Sequence, residues 1–329
     1  LFIFLPVSLT ICHSHCLYFE KAYPISIYRL VRSSQGRYNT GSSGDQKGTA
    51  MRLSVLADNN TTIDRYFLGE PAVSYHIVDG DAKVLFDVGY SDVFIRNAQR
   101  LQIDLLDLDF LAFSHGHLDH TWGLEPLIRL YAEAETESRD HTIPTLIAHP
   151  DLFFPKIEKS TNQIGCLISK TEAARHFKMS LTKQPYHLTD HLVFLGEIPR
   201  TNSFENKTPI GQIQRDDEIA EDFLLDDTAL AYKAKEGLVI ISACSHAGIC
   251  NIIEHAKEVC RDDRILDVIG GFPLLDPDPG ILEKTVSYFA QLKPVTMHPC
   301  HCTDFQAKVA ISKVANIQEV GSGLQLDFD

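Results

Sequence analysis

The segment Ser114-His115-Gly116-His117-Leu118-Asp119-His120 constrains this chain more than any other part of it. It places four ligand-type side chains within six residues, directly after Asp109–Phe113 (DFLAF), which reads as a short, largely buried strand. Ser114 and Gly116 suit the tight loop that such an arrangement needs. In an extended loop His115 and His117 project to the same side and can hold one metal. Asp119 and His120, past the turn, can reach a second. Zinc takes imidazole nitrogen and carboxylate oxygen, and a catalytic site keeps one position open for water. Two ions roughly 3.5–4 Å apart can share a hydroxide and clamp both attacking and leaving oxygens. A run of surface histidines is the plain alternative, and the position at the end of an apolar strand argues against it.

The same event, a strand followed by a loop with His or Asp and then a helix, recurs along the chain from Met51. Met51–Ala57 (MRLSVLA) reads as a strand. Ala72–Val78 and Lys83–Phe86 read as a hairpin closed by an Asp-Gly turn. Helical spacing of apolar residues appears over Ser91–Leu101 and Thr121–Ala132. Pro144–Ala148 and Leu192–Leu195 are further strands, and Ala229–Lys235 with Leu238–Ala243 is a second hairpin that ends near His246. Ile249–Val259 and Leu282–Leu292 read as helices, Leu266–Ile269 and Val295–Met297 as strands, with Pro299-Cys300-His301-Cys302 after the last of them. Asp216–Asp227 is an acidic segment, and Ser160–Thr171 and Thr201–Asp217 read as loops. Ligand residues at strand ends in a layered arrangement indicate an α/β protein.

Residues 1–50 stand apart. Leu1–Cys12 (LFIFLPVSLTIC) is apolar but too short to span a bilayer as a helix. It lacks the basic start of a signal peptide, and a Ser-, Gly- and Thr-rich stretch follows it. The expectation is an extension or upstream segment outside the fold over 1–50, and one domain over 51–329. That first segment has five Lys and Arg against two Asp and Glu, so it carries +3 and the rest −17, for a total of −14. Such a balance argues against nucleic acid, whose phosphates are bound through Lys and Arg. An anionic substrate would need a local counter-charge, which a bound metal supplies. The eight cysteines form no compact framework, a pattern of reduced thiols in a cytoplasmic protein without a membrane partner.

Four more segments follow the histidine motif in order: Glu197-Ile198-Pro199-Arg200, Asp226-Asp227-Thr228-Ala229-Leu230, Cys244-Ser245-His246-Ala247-Gly248 and Pro299-Cys300-His301-Cys302-Thr303. Together they resemble the metallo-β-lactamase superfamily. The nearest likeness is to the subfamily labelled 7,8-dihydropterin-6-methyl-4-(β-D-ribofuranosyl)aminobenzene-5′-phosphate synthase. The resemblance runs from about Met51 to the C-terminus. It implies an α/β, four-layer αββα sandwich (the metallo-β-lactamase fold) that binds two divalent metal ions, zinc first, with Mn or Fe also compatible with such ligands. It implies His246 and His301 as ligands beside His115, His117, Asp119 and His120. The wider superfamily places a ligating residue where Asp226 and Asp227 head the second hairpin. Asp227 is assigned to that role here, an exposed turn acid being the alternative. His298 reads as structural, and Cys300 and Cys302 as packing beneath the loop.

Two positions depart from the family pattern. Gly270-Gly271-Phe272-Pro273-Leu274 carries proline where the family usually has histidine, and Trp122 stands where glycine is common. The expected function is a metal-dependent hydrolase or phosphate-centred transferase that uses a metal-bound hydroxide at a dinuclear site. Asp119 would orient the nucleophile, and the substrate would be a small anionic molecule, a phosphate ester or a pterin. The alternative is a non-catalytic metal- or ligand-binding protein on the same fold, which Pro273 favours. Redox chemistry at a di-iron pair would prefer a glutamate where this chain has His117.

Overall fold

Side chains of a β-strand point alternately to opposite faces, and here both faces of the two main sheets are covered. A computed structural model describes residues 51–158 and 162–329, so the expectation for residues 1–50 lies outside the described residues. The first half of the chain runs β1 (Met51–Ala57), β2 (Ser74–Asp79), β3 (Ala82–Phe86), α1 (Val93–Leu101), β4 (Phe110–Ala112), α2 (Leu118–Thr121), α3 (Leu124–Thr136) and β5 (Thr145–Ala148). Next come β6 (Lys156–Glu158), β7 (Asn162–Gln163), α4 (Lys170–His176), β8 (Lys178–Leu181), β9 (Tyr186–His187), β10 (Leu192–Phe194), β11 (Gln212–Arg215) and β12 (Glu218–Glu221). The last part is β13 (Leu230–Ala234), β14 (Gly237–Ile241), α5 (Ile249–Cys260), β15 (Ile265–Gly271), α6 (Pro279–Leu292), β16 (Thr296–Cys300), α7 (Phe305–Ile311) and β17 (Gln325–Phe328).

One sheet has the order β17-β1-β2-β3-β4-β5-β8 and the other β16-β15-β14-β13-β10-β9. Alternation divides their side chains among three cores. Val84 and Phe86 of β3, with Tyr232 of β13 and Val239 and Ile241 of β14, meet in the core between the sheets. Leu85 points the other way, onto Phe94 of α1 and Leu124, Leu127 and Tyr131 of α3. Ala231, Leu238 and Ile240 likewise turn outward onto Ile249, Ile252, Ile253 and Ala256 of α5, beside Phe289 of α6. Helices, sheet, sheet, helices: this is the expected αββα sandwich.

The strand directions matter most for function. β3, β4, β5 and β8 pair in parallel, as do β14, β15 and β16. β1 is antiparallel to β2, which is antiparallel to β3, so β1 runs with β3. The loops that leave β1, β3, β4, β14, β15 and β16 therefore emerge from C-terminal strand ends, where α/β proteins build their sites.

Three regions differ from the sequence expectation. A third sheet, β12-β11-β6-β7, draws on the two segments read as loops, on the acidic segment and on Lys156–Glu158, which carried no reading. Its strands are short and largely polar, and β6 pairs with β11 across more than fifty residues (Ile213↔Lys156), so no local periodicity marks them. The helix read over Thr121–Ala132 is two helices, α2 and α3, broken at Trp122-Gly123. A Cβ at Gly123 would lie 2.0 Å from the Val88 carbonyl oxygen, and this close approach fixes the break. The C-terminal β17 closes the first sheet by pairing with β1, Met51 opposite Phe328.

Phe86 fills the inter-sheet core with no exposed surface. Phe86→Ala is expected to cost about 3–5 kcal/mol. Urea unfolding would show a lower midpoint at unchanged slope, and an unmoved midpoint would show that the two sheets are not held by this core.

Candidate metal centre

The ligand-type residues are far apart in sequence and share one edge of the sandwich. His115 and His117 follow β4, Cys244 and His246 follow β14, and His301 follows β16. Asp119 and His120 open the single turn of α2.

His115, His117 and His246 form the first group, with ring centroids 4.7–5.0 Å apart. The Nε2 atoms of all three are buried and have no hydrogen-bond partner. Burial pushes all three imidazoles toward the neutral form, His117 to about 4 and the other two well below the ordinary value. Three neutral rings with free lone pairs aimed together are what a cation requires.

Asp119, His120, Cys244 and His301 form the second group. His120 Nε2 lies 3.2 Å from Cys244 Sγ and 3.4 Å from Asp119 Oδ2; His301 Nε2 lies 3.1 and 3.2 Å from the same two atoms. Burial opposes charge on His120, but Asp119 and Asp87 outweigh it and raise its pKa well above the ordinary value. His301 rises to about 9 against burial, through Cys302 and Asp119. Burial also opposes charge on Asp119, yet His120 and His301 hold its carboxyl well below the usual range. The two groups adjoin: the His115 and His120 rings are 4.3 Å apart.

A set of carboxylates and amides fixes these rings. Asp87, after β3, accepts from the Ser114 backbone N–H at 2.8 Å and the Ser114 hydroxyl at 2.7 Å, and its Oδ2 lies 2.8 Å from His120 Nδ1. Asn59 Oδ1, after β1, stands 3.1 Å from His301 Nδ1, while Asp58 accepts from the His301 backbone N–H. Each contact leaves the Nε2 side of the ring for the site, the usual arrangement around a ligating histidine. Asp87, Ser245 and His301 all adopt left-handed backbone (φ 58°, 57° and 47°). Such conformations cost energy outside glycine and gather at functional sites.

A buried ion triad clamps the loop from the third sheet. Lys156 Nζ contacts Asp222 at 2.9 Å and Asp226 at 3.0 Å, and Asp226 Oδ2 accepts the Gly116 N–H at 2.8 Å. A Cβ at Gly116 would meet the Leu152 carbonyl oxygen at 2.4 Å and Lys156 Cε at 2.9 Å, so only glycine fits between the histidines.

Comparison with known proteins places this sandwich in a family. Residues 68–156 match the model of the metallo-beta-lactamase superfamily. A solved metal-dependent hydrolase of the beta-lactamase superfamily is 30% identical, with a TM-score of 0.71 over 85% of this chain and 100% of that one. The chain belongs to the metallo-beta-lactamase superfamily. Among its curated relatives, an uncharacterized protein of Methanocaldococcus jannaschii is 28% identical over 80% of this chain and 95% of that protein. The 7,8-dihydropterin-6-methyl-4-(beta-D-ribofuranosyl)-aminobenzene-5′-phosphate synthase of the same organism is 29% identical over 78% of this chain and 89% of its own length.

Within that superfamily frame, six of the seven residues read from the sequence as ligands fall into the two groups, divided as the loop geometry suggests. Asp227 falls outside both. It is buried behind His115, its Oδ1 3.7 Å from His115 Nδ1 and its Oδ2 accepting the Ala247 N–H. Burial raises its pKa to about 7. The alternative of an exposed turn acid does not hold, since Asp226 and Asp227 are both buried. His298 is structural, as expected: its Nδ1 contacts Asp267 at 2.8 Å. Trp122 stacks on Tyr90 and donates to the Gly165 carbonyl oxygen. Pro273 is half-buried in the loop after β15, and neither group draws on that loop.

Two residues escaped the sequence reading. Cys244 joins the second group, and only its place next to His246 in a segment shared with the family marked it. Asp87 had no signal beyond being an acid at the end of a buried strand. Its role is open to test: Asp87→Asn should weaken binding of an ion in the second group by roughly 10–100-fold while leaving the first group's affinity unchanged. Calorimetric zinc titration would separate the two steps, and equal weakening of both would show that Asp87 acts on the whole loop instead.

Proposed function

We propose that this protein is a metal-dependent hydrolase with two divalent cations, acting on a small anionic substrate with a phosphate ester or phosphoanhydride bond. The observation that carries this reading is the first group's three orphaned, buried Nε2 atoms beside a complete second set of donors. Unpaired buried polar atoms cost about 1–3 kcal/mol each, a cost that a cation held by His115, His117 and His246 removes. The second ion would be held by Asp119, His120, Cys244 and His301. A sulfur among imidazoles favours zinc over harder cations such as Mg or Mn. When bound, such ions acidify water and neutralise phosphate oxygens.

The chain's own residues supply the rest. The Asp119 side chain is 22% exposed, against none for His120, and marks the side from which solvent reaches the site. From that side the Asp119 carboxylate would orient the attacking water. Lys156 is committed to Asp222 and Asp226, so bound cations would meet the substrate's charge. The name of the 29% identical relative contains both a pterin and a ribosyl phosphate, and a phosphorylated substrate is common ground between that chemistry and hydrolysis.

Zinc-loaded protein is expected to contain two ions per chain and to hydrolyse bis(p-nitrophenyl) phosphate. His115→Ala combined with His117→Ala should empty the first group and abolish turnover, since one remaining protein ligand holds zinc poorly. Protein that takes up no transition metal under any loading condition would overturn this reading.

Pro273 supports a second reading, a binding protein without turnover. Proline has no titratable group and no backbone N–H, so residue 273 has neither to offer a departing alkoxide. Pro273→His is expected to speed hydrolysis of alkyl phosphate esters, by up to the roughly 10²–10⁴-fold typical of general acids, and to change p-nitrophenyl esters little. A rise in metal stoichiometry instead would make residue 273 a ligand position. Metal uptake without hydrolysis of any ester, in either variant, would favour the binding protein.

A further inference from the structure

Cys302 belongs to neither ligand group, yet its Sγ lies 2.9 Å from Cys244 Sγ. The two cysteines are 58 residues apart and leave β14 and β16, which flank β15 in the sheet. Gly271 at the end of β15 makes the meeting possible: a Cβ there would lie 3.0 Å from Cys302 Sγ and 2.5 Å from the Ala243 carbonyl oxygen. Among the described residues the remaining cysteines, 166, 250, 260 and 300, are all buried. Cys300 faces the Tyr75 hydroxyl at 3.4 Å and Cys166 the Ile168 carbonyl oxygen at 3.3 Å. Cys302 alone is half-buried, and it borders the same group as the partly exposed Asp119.

We propose that Cys244 and Cys302 are a peroxide-sensitive dithiol, whose oxidation to a disulfide withdraws the Cys244 sulfur from the second ligand group and releases its cation. The inference rests on the reading of that group as a metal site. Hydrogen peroxide, small enough to enter beside Asp119, meets the more exposed Cys302 first. The Cys302 sulfur attacks one peroxide oxygen, the O–O bond breaks, and water leaves a sulfenic acid behind. The Cys244 sulfur then attacks the Cys302 sulfur and expels that oxygen as a second water. Two thiols and one peroxide become one disulfide and two waters, with two electrons passing from sulfur to oxygen. Forming the bond closes the present contact by roughly 0.9 Å to the ordinary S–S length. A sulfur bound in a disulfide has no thiolate to offer a cation. His115, His117 and His246 are untouched, so the first ion stays.

The test uses the full chain, reduced, loaded with zinc, and treated with one equivalent of hydrogen peroxide. Expected are the loss of the mass of two hydrogens, a Cys244–Cys302 cross-linked peptide, and release of about half the zinc, one ion of two. Dithiothreitol followed by fresh zinc should restore both. Cys302→Ser should load zinc as the parent does, form no such cross-link, and keep its zinc under the same dose. The proposal is overturned by a different cysteine pair, by a cross-link that leaves zinc in place, or by equal zinc release from Cys302→Ser. Reduced protein that forms the cross-link but never binds a second zinc would instead refute the metal reading beneath it, and with it the release step.

Discussion

Six side chains that belong to no hydrophobic core and a cysteine are held against one another at one edge of this sandwich, and much of the nearby structure is organised around that crowding. Imidazoles whose Nε2 atoms face each other without partners repel when protonated and lack hydrogen bonds when neutral. Left alone, such a cluster would open to water. It stays closed because the loops that carry it leave strands packed on both faces, and close-packed cores have low compressibility. The same rigidity keeps the distances among donors short enough for cations.

Orientation is the second layer of the arrangement. Asp87 bonds Ser114, just before the histidine motif, and orients His120 at its end. Asp58 and Asn59 reach His301 from the opposite end of the chain's order, so the first and sixteenth strands are tied together at the site. The third sheet adds a clamp from outside through Lys156, a fully buried amine that removal of either carboxylate would leave badly compensated. This makes the small sheet part of the site's support, and it explains why Gly116 admits no side chain. Among the described residues no helix is long and apolar enough to cross a membrane.

The second group differs in kind from the first. One is three neutral imidazoles; the other mixes an anionic carboxylate, two imidazoles pushed toward the charged form (His120 by Asp119 and Asp87, His301 by Cys302 and Asp119), and a sulfur. Two cations in such unlike surroundings would differ in affinity and in sensitivity to oxidants, because only the second set contains a group that peroxide can consume.

Much of this was legible in order along the chain. Alternation and apolar runs mark β1, β2, β3, β4, β13 and β14, since each buries a recognisable face. The spacing of His115, His117, Asp119 and His120 divides them between two groups, since side chains in an extended loop alternate whatever the rest of the protein does. The sequence by itself thus determined the strand-loop-helix units, the pairing of these four side chains and, through shared segments, the superfamily. Only the tertiary structure decided that Cys244 joins Asp119, that Asp227 stands behind His115, and that Asp87 steers His120. It alone revealed the third sheet, the Lys156 triad and the meeting of Cys244 with Cys302. The physical reason is the same in each case. These contacts join residues tens to hundreds of positions apart, whose proximity depends on strand order and direction in the folded sheets, and no local period or spacing in the chain records it.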